Sequence, residues 1–119
     1  MSNILLYSTD DPPDAVYRDI VLKKIRSHDP KKILVLNRNI LYKRLNTHLE
    51  KTVDVDLYGM YFISKEEIST DILKLAIEYE LDNALFFINK DSSNVNFGYQ
   101  IKDICLDLRM DVETISISL

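Results

Sequence analysis

Five short apolar runs, separated by stretches with helical periodicity, are the feature that most constrains the fold of this chain. Each run is too short for a helix and is bounded by polar residues, whereas the stretches between them repeat apolar residues at amphipathic helical spacing. Strands and helices that alternate in this way form a mainly parallel sheet with helices packed on its faces. The predicted strands are 4–7, 33–36, 53–57, 84–88 and 115–119.

The chain is predicted to be one domain, residues 1–119, of the α/β class. Its 119 residues are enough to bury a single core without cross-links, and the lone cysteine, Cys105, allows no internal disulfide. The expected architecture is a three-layer α/β/α domain, Rossmann-like or flavodoxin-like, with a five-stranded, mainly parallel sheet.

The apolar pattern also predicts which strands are central. Runs 33–36 and 85–88 are apolar throughout, as expected of strands covered on both faces, whereas 53–57 and 115–119 alternate with Asp or Ser and fit the sheet edges. With right-handed crossovers and two helices on each face, this favours the strand order 3-2-1-4-5. The order 2-1-3-4-5 remains an alternative.

Capping signals indicate where the helices begin. Asp11 is expected to cap the first helix, because Pro12 and Pro13 follow it at positions where a missing N–H is tolerated. Similar signals precede the other three helices: Asn37 or Asn39, Ser64 with Glu67, and Ser93 or Asn94. The second helix is expected to bury Leu41, Leu45, His48 and Leu49.

A candidate ligand site is expected between strands 1 and 4, because open α/β sheets bind ligands beyond the carboxyl ends of the strands where the strand order reverses. Hydroxyl, amide and carboxylate groups follow both strands. The predicted ligand-binding residues are Ser8, Thr9, Asp10, Asp11, Asn89, Asp91, Ser92, Ser93 and Asn94.

The chemistry of this site is less defined than its position. Phosphate-binding loops need glycine, and the only two glycines, Gly59 and Gly98, lie far apart and form no phosphate-binding motif. The sequence therefore predicts no cofactor. Mg²⁺ is expected only if the carboxylates of this site serve a phosphorylated or nucleoside-type ligand.

The element order and the Asp10–Asp11 pair resemble those of response-regulator receiver domains, with Asp56 near the position of the phosphoacceptor. The resemblance spans the chain at the level of topology only. No Ser or Thr closes strand 4, no Lys follows strand 5 and the final helix of that family is missing, so no phosphotransfer role is predicted.

A candidate interaction surface comes from two apolar segments. Residues 58–63 carry large apolar and aromatic side chains where a polar loop is usual, and the chain ends in a strand that no helix follows. An unpaired edge can add to another sheet, so a homodimer is expected. The predicted interface residues are Tyr58, Met60, Tyr61, Phe62, Ile115, Ile117 and Leu119.

Composition and charge narrow the range of partners. The net charge of −4 combines +4 in residues 1–51 with −8 in residues 52–119, a polarity that can orient a charged partner. A basic cluster at 23–32 lacks interleaved aromatics, so nucleic acid is not an expected partner.

No signal peptide or membrane span is evident, and we expect a cytoplasmic protein. The Ile-, Asn- and Lys-rich composition suggests a viral, phage or low-GC microbial source.

No catalytic residue is predicted. His28 and His48 are isolated, Cys105 lies in a buried helical stripe and no activated-serine motif is present. The sequence therefore favours a non-enzymatic accessory protein that acts through protein–protein contacts, as a homodimer and with a host or viral partner. The alternative is a small enzyme or sensor for a phosphorylated or nucleoside-type ligand at the loops after strands 1 and 4.

Overall fold

A computed structural model describes residues 2–60 and 64–119, and within them five strands form one parallel sheet. The strands are β1 (Ser2–Ser8), β2 (Pro30–Leu36), β3 (Asp54–Tyr58), β4 (Asn83–Ile88) and β5 (Asp111–Ser116). Their order is β3-β2-β1-β4-β5, with every neighbouring pair parallel. The predicted α/β class and the favoured strand order are confirmed, and the alternative order 2-1-3-4-5 is excluded.

In the described residues, four helical segments connect the strands. Helix α1 runs from residue 14 to residue 27 and consists of Asp14–Val16, a π-helical turn at Tyr17–Leu22, and Lys23–Ser27. Helices α2 (Asn39–His48), α3 (Lys65–Glu78) and α4 (Val95–Asp107) are regular. The π-helical turn buries Tyr17, Val21 and Leu22 against the sheet.

The sheet separates two hydrophobic cores. Side chains alternate between the faces of a strand, so Ile4 and Leu6 of β1 pack with α1 and α2, whereas Leu5 and Tyr7 pack with α3 and α4. Every side chain from Ile4 to Tyr7 is essentially inaccessible to solvent. Two-sided burial explains why the central strands show no polar alternation.

Strand β5 begins earlier than predicted. The apolar alternation placed this strand at 115–119, but pairing with β4 starts with Asp111 opposite Asn83 and ends with Ser116 opposite Ile88. The charged start of the strand is tolerated because it lies at the sheet edge, where Asp111 is exposed and Glu113 forms an ion pair with Lys24 of α1.

The predicted helix starts are confirmed only in part. The Ser64 side chain accepts a hydrogen bond from the Glu67 N–H (3.3 Å) and caps α3 as predicted. Helix α1 instead begins at Asp14 after Pro13, without a side-chain cap, and Asp11 is exposed. The N-cap of α2 is Arg38, which also makes no capping bond.

Two predicted polar positions have other roles. Asn94 is the N-cap of α4, but its side-chain amide donates to the Thr9 carbonyl instead of capping the helix. Asn37 adopts a left-handed backbone conformation (φ 60°), and its side chain accepts a hydrogen bond from the Met60 N–H. His48 was predicted within a buried stripe but is exposed, because it occupies the last position of α2.

Candidate functional site

The loops predicted to form a crevice lie at the carboxyl ends of β1 and β4, and their polar residues form a connected hydrogen-bond network. The Thr9 hydroxyl donates to one Asp10 carboxylate oxygen (2.9 Å), and the Ser92 hydroxyl donates to the other (3.1 Å). The Asn89 N–H donates to the Thr9 hydroxyl (2.9 Å). This arrangement is built by pairing of β1 with β4, which continues past Ser8 through a bond from the Thr9 N–H to the Phe87 carbonyl.

The structure brings most, but not all, of the predicted residues together. Ser8 and Thr9 are buried, and the Ser8 hydroxyl donates to the Asp10 carbonyl (2.6 Å). Asn94 joins the network through its N–H, which donates to Ser92 Oγ (3.1 Å). The remaining three predicted ligand residues are exposed at the rim: Asp11, Asp91 and Ser93.

Arg38 belongs to this crevice and was missed by the sequence analysis. Its Nε donates to the Ser8 carbonyl (3.1 Å), and a second guanidinium nitrogen donates to the Thr9 carbonyl. The signal that identifies Arg38 is the strand order itself, since β2 adjoins β1 and Arg38 follows the end of β2. A cation therefore lies beside the Asp10 loop.

Tyr7 of β1 is buried and is bonded to one of the two loops of this network. Its hydroxyl donates to the Asn94 carbonyl (3.1 Å). Burial raises the pKa of Tyr7 to about 12, with Arg38 opposing the increase and Asp10 adding to it. Tyr7 is therefore neutral at physiological pH and acts as a hydrogen-bond donor.

The hydroxyl and amide groups of the network are largely committed to one another. Within residues 2–60 and 64–119, no buried side-chain nitrogen or oxygen lacks a hydrogen-bond partner. No group of three or more His, Cys, Asp or Glu side chains in this part of the chain is placed to hold a metal ion. The network therefore ties the two loops together.

The two halves of the predicted interaction surface lie at opposite edges of the sheet. Tyr58 ends β3, and β5 is four strand spacings away, roughly 19 Å. The Tyr58 hydroxyl donates to Asp71 (3.2 Å), and Met60 is buried in the core. Tyr61 and Phe62 lie outside the described residues.

The terminal half of that surface surrounds β5. Ile115 is half-buried beside α1, Ile117 is buried in the core shared with α1 and α2, and Leu119 is 56% exposed. A groove of about 370 Å³ runs along this side of the sheet between α1 and β5. It is lined by Asp19, Ile20, Lys23, Lys24, Ser27 and Ile115.

Of the three residues that the sequence analysis considered for catalysis, the two histidines have side-chain partners and the cysteine is buried. His48 Nδ1 lies 3.1 Å from the Tyr17 hydroxyl, and His28 Nε2 lies 3.9 Å from a Glu113 carboxylate oxygen. Cys105 is fully buried, and burial raises the pKa of its thiol to about 12. The thiol is therefore protonated and inaccessible, which does not suit a nucleophile.

Asp56 does not occupy a phosphoacceptor position next to Asp10. It is exposed on the edge strand β3, and the whole of β2 separates β3 from β1. The resemblance to receiver domains therefore does not extend to the arrangement of these carboxylates.

The fold is a three-layer α/β/α domain whose strand order matches five of the six strands of the Rossmann order 3-2-1-4-5-6. Comparison with protein-family models, with curated proteins and with solved structures gives no match. No helix in the described part of the chain combines the length and the apolar character needed to cross a membrane.

Proposed function

We propose that this protein is a non-enzymatic accessory protein that acts through protein–protein contacts, that it self-associates, and that the edge of β5 is its contact surface. The observation that carries the proposal is the character of this edge. Its outward main-chain groups belong to uncharged residues, and apolar side chains flank it on both sides.

The main-chain direction along β5 follows from its pairing with β4. The Asp111 N–H donates to the carbonyl of Asp82, the residue before β4. The Ile117 N–H donates to the carbonyl of Ile88, the last residue of β4. Because a parallel ladder alternates, the N–H and C=O groups of the intervening residues 112, 114 and 116 point away from the sheet. These residues are Val112, Thr114 and Ser116, and the last two have exposed side chains.

Apolar side chains flank the edge on both faces of the sheet. On one face, Ile20 and Ile115 line the groove beside α1. On the other, Tyr99 and Leu106 of α4 are 39% and 49% exposed. Both side chains project from α4 about half a turn away from the side chain of Phe97. Phe97 packs on Tyr7 of β1, so Tyr99 and Leu106 lie on the side of α4 that faces away from β1.

The opposite edge of the sheet is less suited to self-association. Asp54 and Asp56 of β3 are both exposed. If two copies of β3 paired antiparallel about Val55, Asp54 of each would lie opposite Asp56 of the other. Like charges directly opposite one another destabilise a strand pair, so β5 is the edge that we assign to a partner.

Replacing Thr114 tests this assignment, because its side chain is exposed and its N–H makes no bond to β4. Thr114→Lys places a charge in the middle of the edge, which discourages strand addition. We expect the wild-type protein to sediment as a dimer and this variant as a monomer with unchanged thermal stability.

Thr114→Val is the matched control, since it keeps a β-branched side chain without a charge. It should remain dimeric. A wild-type monomer at every concentration tested, or a Thr114→Lys variant that dimerises as well as the control, would contradict the proposal.

A ligand-binding function is a second candidate, and the position of Arg38 favours it. Its guanidinium lies beside the Asp10 loop at the crevice where α/β sheets bind ligands. Thermal-shift screening with phosphorylated and nucleoside-type compounds, with and without Mg²⁺, separates the two functions. A shift that Asp10→Asn abolishes and Thr114→Lys preserves would support a ligand site, whereas a screen without shifts would count against it.

A further inference from the structure

We infer that the partner at the β5 edge is a second copy of this chain, added antiparallel about a two-fold axis at Thr114 to give a continuous sheet through both copies. This inference rests on the proposed function and adds the symmetry and the strand register of the self-association. It follows from the charge pattern along β5 and along α1.

The length of β5 and its charges together favour one antiparallel register. Pairing about Thr114 uses the whole strand and places Glu113 of each copy opposite Ile115 of the other. A register centred on Glu113 would place two carboxylates face to face, which is unfavourable. When the strands pair about Thr114, the outward N–H and C=O groups of residue 114 face those of residue 114 in the other copy, and those of residue 112 face those of residue 116. This pairing forms about six main-chain hydrogen bonds.

Helix α1 adds charge complementarity to this register. Its contacts with β5 show its position along the strand, because Ile20 lines the groove with Ile115 and Lys24 forms an ion pair with Glu113. The axis at Thr114 therefore passes between the levels of Ile20 and Lys24. Two α1 helices related by this axis run antiparallel, so that Asp19 of one copy faces Lys23 and Lys24 of the other.

The groove beside β5 also becomes continuous across the axis. It is open along the side of the sheet where a second copy would add, and Ile20 and Ile115 are only half-buried in one copy. Addition of a second copy brings these apolar side chains together from both sides. Burial of apolar surface at the centre of a contact, with charged residues around it, is the usual anatomy of a protein interface.

Cysteine cross-linking tests the register directly. In this arrangement the two Thr114 Cα atoms form a hydrogen-bonded pair roughly 5.5 Å apart, within the range of a disulfide. Thr114→Cys should therefore give a covalent dimer on mild oxidation, seen on a non-reducing gel. The native Cys105 is buried and should not contribute.

Ser116→Cys is the matched control, because Ser116 is exposed on the same strand and points to the same face. Its opposite residue is Val112, and the two Ser116 Cα atoms are about 14 Å apart. It should therefore stay monomeric on the gel. Cross-linking of Ser116→Cys in preference to Thr114→Cys would overturn the register but leave self-association intact, whereas a wild-type monomer in sedimentation would overturn the proposed function itself.

The charges on α1 supply an independent test. Asp19→Lys and Lys23→Asp should each weaken the dimer about tenfold, because each variant places like charges across the axis. The double variant restores opposite charges and should recover most of the affinity. Equal weakening in the double variant would contradict the antiparallel packing of α1.

Discussion

At the scale of single residues, the polar and ionisable side chains that attract functional interpretation are mostly bonded within the protein. Thr9 and Ser92 both donate to Asp10, and Tyr7 donates to a main-chain carbonyl below them. Cys105 packs in the core and is completely buried against the α3 and α4 side of the sheet. Burial raises the pKa of Tyr7 and of Cys105, so the titration of these two groups affects the stability of the fold.

Cys105 gives the clearest pH prediction. Its thiol has a pKa of about 12 in the folded protein, above the ordinary value of 9.0, because burial disfavours the thiolate. The folded state therefore keeps a proton that the unfolded chain releases above pH 9. The stabilisation is complete below pH 9 and is lost as the pH rises toward 12, by up to about 1.4 kcal/mol per pH unit.

Urea unfolding of the wild type and of Cys105→Ala between pH 8 and pH 11 measures this loss. The variant should be less stable at pH 8 because it leaves a small cavity, but its stability should fall less steeply with pH. Parallel pH profiles for the two proteins would show that the thiol does not titrate as described.

At the scale of elements, the contact between α4 and β1 depends on the absence of a side chain at Gly98. A Cβ atom there would lie 2.9 Å from Tyr7 Cε2 and 3.2 Å from Ile88 Cδ1. The Tyr7 ring cannot move aside easily, because its hydroxyl is bonded to the Asn94 carbonyl and its face packs against Phe97.

Gly98→Ala is therefore expected to destabilise the protein. Overpacking of a core contact costs roughly 1–3 kcal/mol, which exceeds the gain of about 1 kcal/mol from alanine in a helix. Gln100→Ala, an exposed position on the same helix, should change the free energy of unfolding by less than about 0.5 kcal/mol. Chemical unfolding compares the two variants, and a Gly98→Ala protein as stable as the wild type would refute the close packing.

The elements also show how far the sequence determines the structure. Strand order was predictable because full burial removes polar alternation from β2 and β4, while β3 retains exposed aspartates. The start of β5 was not predictable, because the charged residues Asp111 and Glu113 are tolerated in a strand only at the edge of the sheet. Glu113 forms an ion pair with Lys24 of α1, which is remote in sequence. No sequence pattern predicted the π-helical turn in α1.

The candidate site was predictable to the same extent. Polar residues after β1 and β4 could be placed together, because the carboxyl ends of parallel strands meet at one edge of the sheet. Arg38 was missed because its role depends on carbonyl groups of β1 that only the tertiary structure brings near it. The sequence likewise could not show that Tyr58 and Ile115 lie at opposite edges of the sheet.

At the scale of the whole molecule, the central claim is that the open edge of β5 is paired in solution. Pairing of two edges removes the row of unpaired main-chain groups that otherwise promotes aggregation. The claim therefore concerns a few identifiable amide groups.

Amide hydrogen exchange, followed by NMR at several protein concentrations, tests the claim most directly. The N–H groups of Glu113 and Ile115, which point toward β4, should be protected at every concentration. Those of Thr114 and Ser116 should become protected as the concentration rises and the dimer forms. Rapid exchange of these two amides at all concentrations, beside stable protection of Glu113 and Ile115, would contradict the account.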